Sequence, residues 1–273
     1  MSASTSRFSW RAALWFYLGS VLVALPATLL AGGLAFRAYG THPRGDAVLY
    51  DRDAGLLAEW LLREQGLLLP LGLAWGGTLV IAEYGRLIPL GAAFVSVNQD
   101  DGQAPYTFGR ALSRIAPHFA RLARWVTAVR LLQLATIWLA WFAIQGIRGH
   151  ASTPTRDLFC LAPVSVAAVL VSVLGVAHDS ARTALVKGET RPWASTLTNR
   201  RRVFRAWLFW ILWTTLSIAI VFFGSTVSQL SARFLVLVWL LHQLLHFARA
   251  AVHVGWLSHL GRLLSNPPSK IAS

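Results

Sequence analysis

Six long apolar stretches run through the chain, at about Leu14–Phe36, Leu67–Val97, Trp125–Ile147, Leu158–Ala177, Ala206–Val227 and Phe234–Leu257. A hydrocarbon layer about 30 Å thick takes ~20 apolar residues of helix, at ~1.5 Å each, to cross. Each stretch meets that length, and lipid offers no hydrogen-bond partner to a backbone that is not helical. The chain is 55% hydrophobic and only 13% charged, which excludes a soluble domain of this size. The runs are continuous rather than alternating, which excludes barrel strands. The expected fold is an all-α polytopic membrane helix bundle, a single integral membrane domain over 1–273 with six transmembrane helices and a disordered tail over 265–273.

The first stretch has a basic front (Arg7, Arg11) and small residues at its end, as a secretory leader would. Its apolar part exceeds the usual ~7–15 residues of such a leader, so it reads as a retained helix. The single cysteine, Cys160, permits no internal disulfide and reads as a small apolar residue near a helix end.

The stretches pair into three hairpins, and each returning stretch carries a polar-x-x-Arg signature: Glu83-Tyr-Gly-Arg86, Asp179-Ser-Ala-Arg182 and His246-Phe-Ala-Arg249. Basic segments precede the outgoing stretches, as in Arg121-x-x-Arg124-Trp125 and Arg202-x-x-Arg205. This makes the chain one hairpin unit used three times. Two amphipathic segments, about 54–65 and 105–122, read as interfacial helices. In the second of these, Phe108, Leu112, Ile115 and Phe119 face away from Arg110, Arg114 and Arg121.

A net charge of +14 would suggest nucleic acid in a soluble protein, but no recognition module remains outside the apolar stretches. Membrane orientation explains the charge better. Of 25 Lys and Arg, 14 lie in the two termini and the connections on their side, against seven in the alternate loops. The positive-inside rule then places both termini in the cytoplasm. The expected partners are the bilayer and the anionic lipid headgroups of its cytoplasmic leaflet. Seven of the tryptophans (10, 15, 60, 125, 193, 207 and 256) fall near the interfaces, whereas Trp75, Trp210, Trp213 and Trp239 lie deeper and read as packing residues. Gly32-Gly33 and Gly76-Gly77 read as close-packing sites.

Four arginines lie inside the apolar stretches or just past their ends: Arg86, Arg130, Arg182 and Arg249. A charge at mid-membrane costs roughly 2.5–3.5 kcal/mol on insertion scales, so each needs a partner or water. Glu83 is expected to neutralise Arg86, and Asp179 to neutralise Arg182, or the pairs cross between hairpins, with Arg130 drawing on either carboxylate. In the last stretch His242, His246, Arg249 and His253 share one face and are expected to point into the bundle. Two readings stand side by side. These groups lock the hairpins together, or Glu83, Arg86, Arg130, Asp179, Arg182, His246 and Arg249 line a cytoplasm-facing polar cavity for an amphiphilic or anionic molecule. A further alternative makes His242 and His246, spaced i,i+4, ligands of haem or zinc in a redox enzyme, with His178, Glu83 or Asp179 completing the shell. No nucleophile elbow or phosphate-binding glycine loop is present, so the favoured reading is a non-enzymatic protein without a cofactor that binds or moves such a molecule, ahead of a structural or interaction subunit and of a haem or metal enzyme.

On its returning helices, Glu83-Tyr-Gly-Arg86 and Asp179-Ser-Ala-Arg182, each followed by a basic amphipathic connection, the chain resembles uncharacterised bacterial six-helix integral membrane proteins. These are similar in layout to the membrane domain attached to some glycerophosphodiester phosphodiesterases. The resemblance covers roughly residues 10–262 and implies a bacterial inner (cytoplasmic) membrane protein. The phosphodiesterase domain itself has no counterpart here, so no catalytic residue carries over.

Overall fold

A computed structural model describes residues 8–39, 65–98, 106–150, 155–227 and 235–265. Among the described residues the chain is almost entirely helical, with no strand. The helices are α1 (Trp10–Tyr39), α2 (Gln65–Gly85), α3 (Leu87–Val97), α4 (Phe108–Ile115), α5 (Phe119–His150), α6 (Thr155–Val186), α7 (Pro192–Thr198), α8 (Arg200–Val227) and α9 (Leu235–Ser265). Five segments are long and apolar enough to cross a membrane: Trp10–Leu30, Gly72–Val97, Phe108–Gly149, Phe159–Val186 and Arg200–Gly224. The last long helix, α9, has 31 residues. The interfacial helix expected over 54–65 and the tail over 265–273 lie outside the described residues, apart from their bordering positions.

The second apolar stretch is not one helix. It breaks between α2 and α3 at Arg86, three residues before Pro89. Pro89 has no N–H for the Gly85 carbonyl and its ring crowds that carbonyl, so the ladder is interrupted one turn before the proline. The hydrogen bonds on either side survive, from Arg86 N to Ala82 O and from Leu90 N to Arg86 O. Pro117 does less damage. Thr107 caps α4 by accepting from Arg110 N, and a single 3₁₀ turn, Ala116–His118, passes the proline before α5 begins. The basic amphipathic segment thus runs directly into the third stretch.

Other helices outrun their apolar cores. α6 continues through Asp179 and Arg182 to Val186 and stops in a Schellman turn, where Gly188 takes φ +85. There Gly188 N donates to Leu185 O and Glu189 N to Ala184 O, the arrangement for which only glycine is unstrained. The Arg200–Arg202 triplet forms the first turn of α8, and Arg202 donates to the Leu264 carbonyl.

Sequential pairs α1/α2, α5/α6 and α8/α9 pack side by side, and the short α3 touches α1, α4, α9, α6 and α5. The core gathers at one end of the bundle, the basic end. One cluster joins Ala12, Ala13 and Phe16 of α1 to Ala93 and Val97 of α3 and to Ala250 and Val254 of α9. A second joins Val95, Ala111, Ile115, Leu122 and Leu185, and a third joins Phe94, Val176, Ala206, Trp256, Leu257 and Leu260. Toward the other end large apolar side chains are exposed on all six long helices, from Leu29 and Leu73 to Leu139, Leu161, Phe222 and Val236. Such a surface is compatible with contact to lipid, where burial within the protein is unnecessary.

The close helix crossings also differ from expectation. Among the described residues a Cβ at Gly33, Gly76 or Gly77 would meet nothing within 4 Å, so no close helix crossing is seen there. The close approaches are at Gly19, where a Cβ would come 2.5 Å from Pro89, and at Gly255, where it would come 2.7 Å from the Trp213 ring. Of the deep tryptophans, Trp210 and Trp213 pack against the third cluster, whereas Trp75 and Trp239 are exposed. Trp256, expected at an interface, is core.

Candidate polar site

Where the packed end gives way to the open one, the charged groups of the apolar stretches meet. Glu83, near the end of α2, accepts from Arg130 of α5 at 2.9 Å (Nε) and 2.5 Å (Nη2). The crossed pairing is therefore the one adopted by Glu83, and Arg86 instead lies over the Phe16 ring, 5.7 Å from its centre. Arg130 also donates to Gln133 at 2.9 Å, and Gln133 donates to the Val171 carbonyl at 3.0 Å. Tyr84 and Thr127 share a hydrogen bond one turn nearer the basic end.

The second signature holds as expected. Arg182 donates to Asp179 at 3.4 Å across one turn of α6, and the Trp256 indole donates to the other carboxylate oxygen at 3.0 Å. Arg182 is 9% exposed and reaches a cavity of about 10 Å³ walled by Leu90, Phe94, Ile115 and Leu122, room for about one water. His178, the neighbour of Asp179, points elsewhere and stacks on Trp193, as the ~100° between successive helical residues requires.

The α9 stripe is divided between two neighbours. Arg249 donates to Ser217 of α8 at 3.1 Å, and His242 lies beside Gly224 of α8. His253 stacks on Phe16 of α1, 5.0 Å between ring centres. Gln243, which sequence reasoning passed over, accepts from Tyr17 at 2.5 Å. His246 and Arg249 are exposed rather than turned into the bundle, because α9 packs on α1 and α8 and leaves the strip between them open.

Despite these separate partners, the charges act on one another. Arg86 interacts electrostatically with Glu83, Arg249 and Arg130, and Arg182 with Asp179, Glu83 and Arg130. His246 interacts with His242 and Arg249. The seven expected residues thus belong to one electrostatic network, to which the structure adds His253 and Gln133. Four guanidiniums face two carboxylates, an excess of +2 within the apolar stretches. Guanidinium does not deprotonate in proteins, so the excess persists at any working pH.

The shell expected around His242 and His246 is not assembled among the described residues. Among the described residues no three of His, Cys, Asp or Glu gather as ligands. The residues expected to complete a His242–His246 shell are engaged elsewhere: Glu83 with Arg130, Asp179 with Arg182 and Trp256, and His178 with Trp193.

At the basic end a groove of about 550 Å³ is lined by Arg121, Arg124 and Trp125 of α5 and by Arg191 and Trp193 at the start of α7. It lies apart from the residues of the charged network. No family model, no curated protein and no solved structure matches this chain.

Proposed function

We propose that this chain is a non-enzymatic inner-membrane protein of six spans, with α9 as the sixth and both termini in the cytoplasm. Its three related hairpins bind or move an amphiphilic or anionic molecule. The observation that carries this reading is the excess of +2 among Glu83, Arg86, Arg130, Asp179, Arg182 and Arg249. In a low-dielectric setting an uncompensated guanidinium is costly, and an anion supplied from outside the chain would offset it. Exposure of Arg130, with 56% of its side chain accessible, and of Arg249 favours entry from the side of the bundle. The ~10 Å³ cavity at Arg182 is too small to admit a headgroup from the basic end. A molecule with a charged head and apolar tails would then keep its tails against the exposed faces of α5 and α8.

The test is charge reversal at Arg249 in nanodiscs of neutral lipid, titrated with pyrene-labelled phosphatidylglycerol. Arg249→Glu should weaken binding at least about tenfold, the loss of one charge-assisted contact, while Arg262→Glu should not. Binding by Arg249→Glu equal to that of the parent would sink the proposal. A structural role is favoured for one part of the network, the buried Asp179–Arg182–Trp256 set, which joins α6 to α9. If the network is structural throughout, leucine at both Glu83 and Arg130 preserves assembly and cellular activity.

A further inference from the structure

The groove at the basic end has a composition of its own. Arg121 and Arg124 stand three apart and share one face at the start of α5, and Arg191 faces them from the turn that opens α7. All three are exposed. Among the described residues none makes an ion pair or a side-chain hydrogen bond, and the groove lining contains no carboxylate. Of the other exposed arginines near this end, Arg114 is held by the Tyr106 hydroxyl and ring. These three differ in converging on an aromatic wall.

Trp125 and Trp193 meet edge to face, 5.7 Å between ring centres, and His178, buried in α6, backs Trp193 in a parallel stack. The wall is therefore held rigidly by the bundle, and Ala128, Pro192 and Ala194 extend its apolar surface. A volume of about 550 Å³ lies within the ~300–1,000 Å³ usual for small-molecule sites. Paired tryptophans mark the depth of the membrane interface, and α5 continues from the groove into the exposed apolar residues Leu131, Leu132 and Leu134.

From this juxtaposition we infer that Arg121, Arg124 and Arg191 with Trp125 and Trp193 form a site for the phosphate of an anionic phospholipid. The arginines take the phosphate in bidentate fashion, the indoles cover the glycerol region, and the acyl chains run along α5. A soluble phosphate has the same head but no use for the apolar wall or the α5 surface. The site shares no residue with the charged network, so either can fail without the other.

Native mass spectrometry from neutral detergent, with added dioleoyl phosphatidylglycerol or dioleoyl phosphatidylcholine, tests this. The parent should retain one phosphatidylglycerol per chain through this groove and no phosphatidylcholine there. The variant R121Q/R124Q/R191Q should lose that one lipid, with binding weakened at least about tenfold, whereas R249E should keep it. The control R110Q/R200Q/R201Q removes the same charge from exposed arginines outside the groove and should retain the lipid. Equal loss in both triple variants would mean a diffuse basic surface and would overturn the site. Displacement of phosphatidylglycerol by millimolar inorganic phosphate would make the ligand a soluble anion and overturn the lipid assignment. If the triple variant is not monodisperse, R191Q alone, on an exposed turn, carries the same test, and unchanged retention there refutes the site.

Discussion

Replacing Asp179 by Asn removes one charge from the most buried ion pair of the bundle while keeping a similar shape and an acceptor for the Trp256 indole. Arg182, 9% exposed, is then left charged among Leu90, Phe94, Ile115 and Leu122. Stranding one partner of a buried pair costs roughly 3–5 kcal/mol. The separation of 3.4 Å is longer than a good charge-assisted contact, which runs about 2.7–2.9 Å, so the expected loss sits at the low end, about 3 kcal/mol. Removing both charges in D179N/R182Q should restore most of it, because no charge is then stranded, leaving a deficit of about 1 kcal/mol from the weakened Trp256 bond. Unfolding by sodium dodecyl sulfate from mixed micelles, followed by circular dichroism, measures both. A single-variant loss under about 1 kcal/mol, or a double variant less stable than D179N, would refute the view that Arg182 depends on Asp179.

Other expectations follow from the packing. Gly255→Ala would force a methyl to within 2.7 Å of the Trp213 ring and should destabilise the α8/α9 pair by about 1–3 kcal/mol. Gly76→Ala, which meets open space, should be neutral within about 0.5 kcal/mol in the same unfolding assay. Pro89→Ala returns a donor to the Gly85 carbonyl and should straighten the α2–α3 break. Spin labels at Val80 and Asn98 would then read a longer distance, and an unchanged distance would put the cause of the break elsewhere. His259, near the end of α9 and beyond its apolar stretch, has its pKa lowered from the usual 6.5 by burial and by Arg262. Its unfolded form binds protons first, so it withdraws stability as pH falls through 6.5 and costs nothing well above it. His259→Phe should flatten the acid side of the melting profile, and parallel profiles for parent and variant would count against this.

Much of the architecture was legible in the chain. The length of an apolar run is a local property, fixed by the thickness of hydrocarbon it must cross, so five segments appear long and apolar enough to span, the second of them broken into α2 and α3, and the last stretch appears as the 31-residue α9. The pair Asp179–Arg182 was equally legible, because two positions three apart on an unbroken helix share a face. The same rule was not enough for Glu83 and Arg86, which still interact electrostatically while the hydrogen bonds of Glu83 go to Arg130 of another helix. It failed again in α9. The shared face of His242, His246, Arg249 and His253 is real, but which way that face turns depends on how α1 and α8 seat against the helix, and Arg249 and His246 end up exposed.

The groove shows the same division from the other side. Arg121, Arg124 and Trp125 read from the sequence as one turn of basic interfacial helix, and Arg191 and Trp193 as part of a separate connection. Only the docking of α7 beside α5, backed by His178 of α6, turns two ordinary basic segments into one site. Hydrophobic length and helical period are written along the chain and act over a few turns. Which charges meet is decided by the rotation and crossing of helices, set by contacts between residues as far apart as Gly19 and Pro89 or Trp213 and Gly255. Those contacts exist only once the bundle is assembled.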